Sequence, residues 1–489
     1  MSKTIKNKIV YEKDITELKG KANSIVFPDS LEEIQNTIKL SDLDIVPRGS
    51  CINFNGSCIP NNSIIIDTSK MNKILEIDAT RKLVYVEAGI LLDELNLELE
   101  KYNLELPISP LFSGLRTIGG IIATNSSGDR EIKYGRIKNW IDSLEIINSK
   151  GELIEISRAD TSDFSGMEGI TGVIARAKLR LSTKKIRSLS IFKSESLQDI
   201  LKLNRKLKLD HDVCMINLIS KHLSKLFGLE EKYHLFVEFE SNRGNQKNQQ
   251  YKEFIKLKNN SYYTLASQGY YYLESVKIFM DKFDDFIIHL EENHIPYFSN
   301  LGSNIVYFCF KKNQDEIKKQ TLQLVKRMRG RLSDGNIGLT KKDFLDKTEI
   351  KLIKRIKNRY DSDYRFNRGK VIDYDPEPIE QETESIQTQK SEESERTPEE
   401  EIEEFIEEEK VEEILHAEPI EELQEEKPEI KQETRQIEMT DREKMIHAVQ
   451  QGVTIKKPEV SKEEKDQIRK IASGYMSIEK ENKEDNENE

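Results

Sequence analysis

An α+β fold in two parts with an acidic tail is what this 489-residue sequence predicts. Three observations predict it. Short β-type apolar runs alternate with amphipathic helical stretches through residues 1–375. Three glycine-bearing turns, at 47–57, 117–128 and 166–172, interrupt that alternation. Charge is divided: Pro376–Glu489 holds 37 acidic and 16 basic residues, so it carries −21 and leaves +9 of the net −12 on residues 1–375.

At 36% hydrophobic and 34% charged, the chain is too long for one domain and too charged to be folded throughout. No apolar run approaches the roughly 18 residues of a membrane span, and no apolar core follows the basic residues of MSKTIKNKIVYEK, so no secretory signal is expected. Cys51, Cys58, Cys214 and Cys309 show no metal-type spacing and suit a reducing compartment. The expectation is a cytoplasmic protein, free or peripheral at the inner face of the membrane. Basic residues are not interleaved with aromatic ones as in a nucleic-acid groove, so no nucleic acid is expected.

Taken in order, Ser24–Phe27 reads as a short strand. Ser30 and Glu33 form a capping box for a helix whose apolar face holds Ile34 and Ile38. Asp44–Val46 is a second strand opening into the small-residue loop Pro47–Ser57, whose backbone N–H groups suit a pyrophosphate. Ile64–Asp67 is a buried strand. Lys73–Asp78 and Leu83–Glu87 pair as a hairpin, and Leu92, Leu95 and Leu99 line one helix face. Pro107–Pro110 is a rigid extended segment.

It leads into TIGGIIATNSSG, Thr117–Gly128. Each glycine inside a helix costs about 1 kcal/mol relative to alanine, so a core helix is not expected here. Paired Gly119 and Gly120 instead permit close backbone approach to a flat ligand, and the small polar residues that follow supply donors without bulk. Beyond it come a strand at Ser143–Ile147, a hairpin at Asn148–Gly151, and a tight turn within Gly166–Leu181 leading into another strand. Residues 188–375 are α+β, with VCMINLIS, HLFVEFE and NIVYFCF as strands.

These residues resemble the FAD-binding domain shared by p-cresol methylhydroxylase (PCMH), vanillyl-alcohol oxidase and the D-lactate and glycolate dehydrogenases. The resemblance runs from Ile25 to Leu181. Pro47, Arg48, Gly49, Asn53 and Gly56 match the pattern PRGGGTSLxG, whereas Ser50, Cys51 and Ile52 replace Gly, Gly and Thr. Gly166, Glu168, Gly169, Gly172, Val173 and Ile174 match GSEGTLGIIT. The loop holds no histidine for a covalent flavin link, so the resemblance implies non-covalent FAD. It assigns cofactor contacts to Pro47, Arg48, Gly49, Ser50, Cys51, Ile52, Asn53 and Gly56. It extends them to Pro110, then to Thr117, Ile118, Gly119, Gly120, Thr124, Ser127 and Gly128, and last to Glu168, Gly169, Gly172 and Val173.

The same resemblance implies a two-subdomain FAD-binding domain at 18–185, a ferredoxin-like cap at 186–375 and the tail at 376–489. The cap's closing pattern is met in part by Ile356, Lys357, Asp361 and Arg365–Ile372. Hydroxyacid dehydrogenases of this kind carry imidazoles on the cap for a divalent metal. Ser299 and Val306 stand where two of them are expected, and Gly335 where another is, so no metal is expected. The implied activity is oxidation of a 2-hydroxy acid or related alcohol by hydride transfer to flavin N5, with a separate electron acceptor. Tyr134, Glu168, Asp334 and Lys370 are the candidates for a replacement base. The other reading is an FAD-binding subunit without dehydrogenase activity of its own.

The tail's Glu-rich composition predicts disorder. Two helical patches, 440–452 and 461–478, are capped by Thr440 with Glu443 and by Ser461 with Glu464. They are expected to dock an iron–sulfur or quinone-linked redox partner.

Overall fold

A computed structural model gives the fold. It describes residues 8–13, 18–52, 55–126, 128–241, 248–332 and 345–370. The acidic tail with its two helical patches, and Asn53, Ser127 and Asp334, lie outside the described residues.

The chain first builds a three-stranded parallel sheet from β1 (Lys21–Val26), β2 (Ile45–Arg48) and β3 (Asn61–Asp67), in the order β1-β3-β2. The crossover from β1 to β2 is α1 (Leu31–Lys39), whose N-cap Ser30 accepts from the Glu33 amide. The Glu33 carboxylate takes the Asp29 amide rather than that of Ser30, one residue off the expected box. Ile34 and Ile38 pack under the sheet against Ile45, Ile64 and Ile66, and burying each such side chain contributes about 1.5–3 kcal/mol.

A five-stranded antiparallel sheet follows. Its strands are β4 (Ile74–Asp78), β5 (Leu83–Glu87), β7 (Ile141–Ile147), β8 (Leu153–Ile156) and β9 (Val173–Arg180), ordered β4-β5-β9-β7-β8. Between β5 and β7 the chain makes α2 (Leu92–Leu99), the short strand β6 (Leu104–Glu105), α3 (Ile118–Ala123) and α4 (Glu131–Tyr134). Leu92, Leu95 and Leu99 bury together with Ile118, Ile121 and Ile122 against this sheet.

The glycine run is therefore helical where a helix was not expected. The Thr117 hydroxyl caps α3 by accepting the Gly120 amide at 3.2 Å. Gly119 donates its amide to the Ala88 carbonyl at 2.7 Å, and a Cβ there would come within 2.8 Å of Ala88 Cβ. The helix lies too close to the end of β5 for a side chain on that face. The propensity penalty of glycine is outweighed by this packing.

After β10 (Ser182–Thr183), which pairs with β6, a seven-stranded antiparallel sheet forms. It takes β11 (Ser188–Ser194), β12 (Val213–Ile219), β13 (Tyr233–Phe239), β14 (Tyr270–Lys277), β15 (Tyr297–Asn300), β16 (Ile305–Lys311) and β17 (Arg331–Leu332), in the order β11-β13-β12-β15-β16-β14-β17. Helices α5 (Leu197–Leu207), α6 (Lys221–Leu226), α7 (Asn248–Ser267), α8 (Met280–Glu292) and α9 (Asp315–Arg327) connect the strands. Phe286, Ile287, Val306, Phe308 and Val325 lie at the centre of one of its cores.

The last described segment returns to the first half. Helix α10 (Lys347–Tyr360), opened by a capping box of Asp346 and Glu349, buries Ile353, Ile356 and Tyr360 in the core of the five-stranded sheet. Phe366 enters the core beneath the parallel sheet and bridges Ile45. The buried Lys357 ammonium donates to the carbonyls of Ile170 and Phe366, both at 2.8 Å, and to Asp361 at 2.6 Å. Burial pushes the Lys357 pKa down, and Asp361 pulls it back up. Residues 347–370, expected in the second domain, thus pack on the first.

Candidate functional site

The three glycine-bearing stretches meet at one cavity. Its first wall is the end of β2 and the loop that follows: Pro47, Arg48, Gly49, Ser50, Cys51 and Ile52. The second is the start and end of α3: Thr117, Gly119, Gly120 and Thr124. The third is the turn before β9 and that strand's first residue: Glu168, Gly169, Gly172 and Val173. These fourteen were all expected from the sequence.

Glycine explains why the walls can touch. A side chain at Gly49 would run into the Thr117 hydroxyl, and one at Gly169 would meet the Pro47 ring at 3.2 Å. Gly169 is also at φ +75°, which an L side chain rarely adopts. Two non-glycine residues of the cavity sit in the left-handed region as well, Cys51 at φ +54° and Glu168 at φ +44°. Cys51, which stands where the resembled pattern has glycine, holds a left-handed conformation and carries its strain.

Glu168 is buried and fixed from several sides. Its amide donates to the Ala123 carbonyl at 2.8 Å, its carboxylate accepts from Asn55, and its carbonyl accepts from Asn367 Nδ2 at 2.8 Å. Asn367 belongs to the returning segment, so the last described residues brace the third wall. Lys370, also buried, donates to the Ser57 carbonyl and to Asn367 Oδ1 at 2.7 Å. It clamps the first loop from outside the cavity.

Of the remaining expected residues, Gly56, Pro110, Ile118 and Gly128 are described but do not line the cavity. Ile118 points into the core, and Gly128 lies so close to the Ser109 backbone that a Cβ would come within 2.7 Å of it. Tyr134 is elsewhere: its hydroxyl donates to Glu240 and accepts from Arg187 at 3.2 Å. Arg187 also pairs bidentately with Glu105, at 2.7 and 2.6 Å. Nearby, Arg130 grips the buried Glu238 at 2.7 and 2.9 Å, and Lys258 pairs with Asp129. Residues 129–134 are thus held to the seven-stranded sheet. Among the described residues, that sheet contributes nothing to the cavity lining.

The sequence reading missed Ser57, Cys58, Thr68, Arg116, Ala123 and Ile174 as lining residues. Ala123, Ile174 and Arg116 adjoin expected positions and were within reach of the motifs. Thr68, at the end of β3, carried no signal. Behind the first wall Arg48 lies over the Tyr11 ring at 4.6 Å and donates to the carbonyls of Val10 and Tyr11. Burial raises the pKa of the neighbouring Asp67, which Ser69 and Arg48 partly offset.

The lining combines Arg116, several hydroxyls, and an apolar side formed by Ile52, Ala123, Val173 and Ile174. That chemistry suits a ligand with a phosphate-bearing chain and a flat apolar ring. Residues 22–157 match the family described as FAD binding domain. The chain carries an FAD-binding domain.

Relatives extend beyond that domain. A D-2-hydroxyglutarate dehydrogenase of Xanthomonas citri pv. viticola is 29% identical over 172 residues, covering 32% of this chain and 36% of that protein. One from Stutzerimonas stutzeri is 23% identical over 434 residues, 74% of this chain and 94% of that protein. Among solved structures, an alkyldihydroxyacetonephosphate synthase aligns with a TM-score of 0.58 at 18% identity, over 73% of this chain and 79% of that one. This last likeness is one of fold. No helix among the described residues is long and apolar enough to cross a membrane.

Proposed function

We propose that the cavity holds FAD without a covalent bond and that the protein oxidises a 2-hydroxy acid or a related alcohol, passing the electrons to a separate acceptor. The convergence of the three glycine-bearing stretches on one cavity carries this reading. The loop at 47–52 takes the pyrophosphate, and the 117–124 and 168–174 stretches take the ribityl chain and ring. Bound FAD would supply the hydride-accepting chemistry. The chain's own residues bind it, orient it and exclude water. Glu168 is the candidate base at the cavity; Lys370 and Tyr134 are committed to other partners. The seven-stranded sheet with its helices is the ferredoxin-like cap of this reading, with substrate specificity assigned to it.

One observation favours the second reading, an FAD-binding subunit without its own dehydrogenase activity. Ser299 and Val306, where two metal-binding imidazoles are expected, face each other across the β15–β16 ladder. Both are buried, Ser299 donates to the Ile305 carbonyl, and Val306 belongs to an apolar core. Under this reading the tail docks an iron–sulfur or quinone-linked partner.

The test is a visible spectrum of the purified full-length protein, then anaerobic addition of D-2-hydroxyglutarate, D-lactate or glycolate. Flavin absorption released by denaturation supports non-covalent FAD, and bleaching by one of the acids supports the dehydrogenase. Flavin without bleaching favours the subunit. Colourless protein that takes up no added FAD sinks both.

A further inference from the structure

Arg116 stands apart from the other cavity residues. It is buried, it immediately precedes the cap of α3, and it lines the cavity. Its Nε donates to the Leu111 carbonyl at 2.8 Å and its Nη1 to the Ser126 hydroxyl at 2.9 Å. Ser126 in turn lies 2.6 Å from the Thr124 hydroxyl. The guanidinium is therefore tied to the loop before α3 and to the turn after it, across the whole glycine-bearing stretch. The loop also contains Phe112, buried and at φ +59°. A bulky residue in the left-handed region costs about 1–2 kcal/mol, and such strain persists where the surroundings demand a particular geometry. Here it accompanies a turn that brings a permanently charged group inward.

A buried cation beside a flavin acts mainly on charge that appears later. Oxidised isoalloxazine is neutral, whereas two-electron reduction, or addition of a nucleophile at N5, leaves negative charge spread over N1 and the C2 carbonyl oxygen. A fixed guanidinium in a site of low dielectric favours that charge without reorganising. We propose that Arg116 is the electrostatic tuning residue of the cofactor site, raising the reduction potential of the bound flavin. The proposal rests on the reading of the cavity as the FAD site. It assigns Arg116 to the ring end of the cofactor and leaves the pyrophosphate to the Arg48 loop.

Sulfite is the probe. Its sulfur electron pair forms a bond to flavin N5, nothing leaves, and the ring takes the negative charge. Full-length holoprotein is titrated with sulfite by absorbance, and its potential is measured against reference dyes. Wild type is expected to form the adduct. Arg116→Met is expected to retain FAD, bind sulfite about tenfold or more weakly and show a lower potential, with Arg116→Lys in between. FAD-loaded Arg116→Met with unchanged sulfite affinity and potential would overturn the proposal. So would an Arg116→Met variant that loses only FAD affinity, which would place the group at the pyrophosphate. Wild type that holds FAD but forms no adduct also overturns the proposal. Wild type that binds no FAD at all is a distinct result, because it removes the site itself.

Discussion

The Thr117 hydroxyl occupies the space that a side chain at Gly49 would need. The loop after β2 and the cap of α3 are 68 positions apart in sequence, yet they are in contact at the cavity, and the same hydroxyl caps the Gly120 amide. One oxygen thus orders the glycine helix and sets how closely the first wall can approach it.

Gly49→Ala should weaken FAD binding by about tenfold or more, because neither the cap nor the loop can yield without opening the cavity. Adding Thr117→Ala should recover part of the loss. The pair is in contact, so a double-mutant cycle in an FAD titration should show coupling of about 0.5–3 kcal/mol. Additive effects would mean the two stretches do not meet.

Cys51 is in a conformation that costs a non-glycine residue about 1–2 kcal/mol. Glycine regains that but loses about 0.4–1 kcal/mol through the unfolded chain. Cys51→Gly should raise stability by roughly 0.5–1 kcal/mol, and the β-branched Cys51→Val should lower it. Urea unfolding of the holoprotein measures both.

Lys357→Met leaves the Asp361 carboxylate buried without its cation. Breaking a buried pair in this way costs about 3–5 kcal/mol. The loss should fall first on residues 345–370 and then on the Asn367 brace of Glu168. Hydrogen exchange should show that segment losing protection together with the turn at 166–172.

His222, His234 and His289 each have a pKa lowered mainly by burial. Lys193 and Lys232 lower that of His234 further, against Glu230 and the bond to the Lys232 carbonyl. Their neutral forms are favoured in the folded state, so the unfolded chain binds more protons as pH falls below about 6.5. Their contribution to stability is complete above that pH and is lost progressively below it. Thermal midpoints should drop between pH 7.5 and 5.5, and His234→Gln should make that pH dependence shallower. An unchanged slope in the variant would show that His234 titrates alike in both states.

Much of the first half was legible in the sequence because its signals are local. The apolar run Ile64–Ile66, the spacing of Leu92, Leu95 and Leu99, and the glycines at 166, 169 and 172 each reflect a conformation fixed within a few residues. The strands β11, β14, β15 and β17 were not read, since Ser188–Ser194 and Tyr297–Asn300 lack clear alternation and are held by their neighbours in the sheet. The character of α3 was misjudged for a related reason: glycine propensity is a local quantity, and the close approach to Ala88 is not.

The sequence by itself determined that three turns with unusual backbone freedom exist, which residues occupy them, and that the histidines of a metal site are missing from their expected places. Only the tertiary structure decided that these turns line one cavity, that Arg116 is carried into it, and that residues 347–370 return to brace its third wall. Backbone torsions and side-chain periodicity are written into neighbouring residues. A close approach between distant segments depends on how whole sheets and helices pack, so no short stretch encodes it.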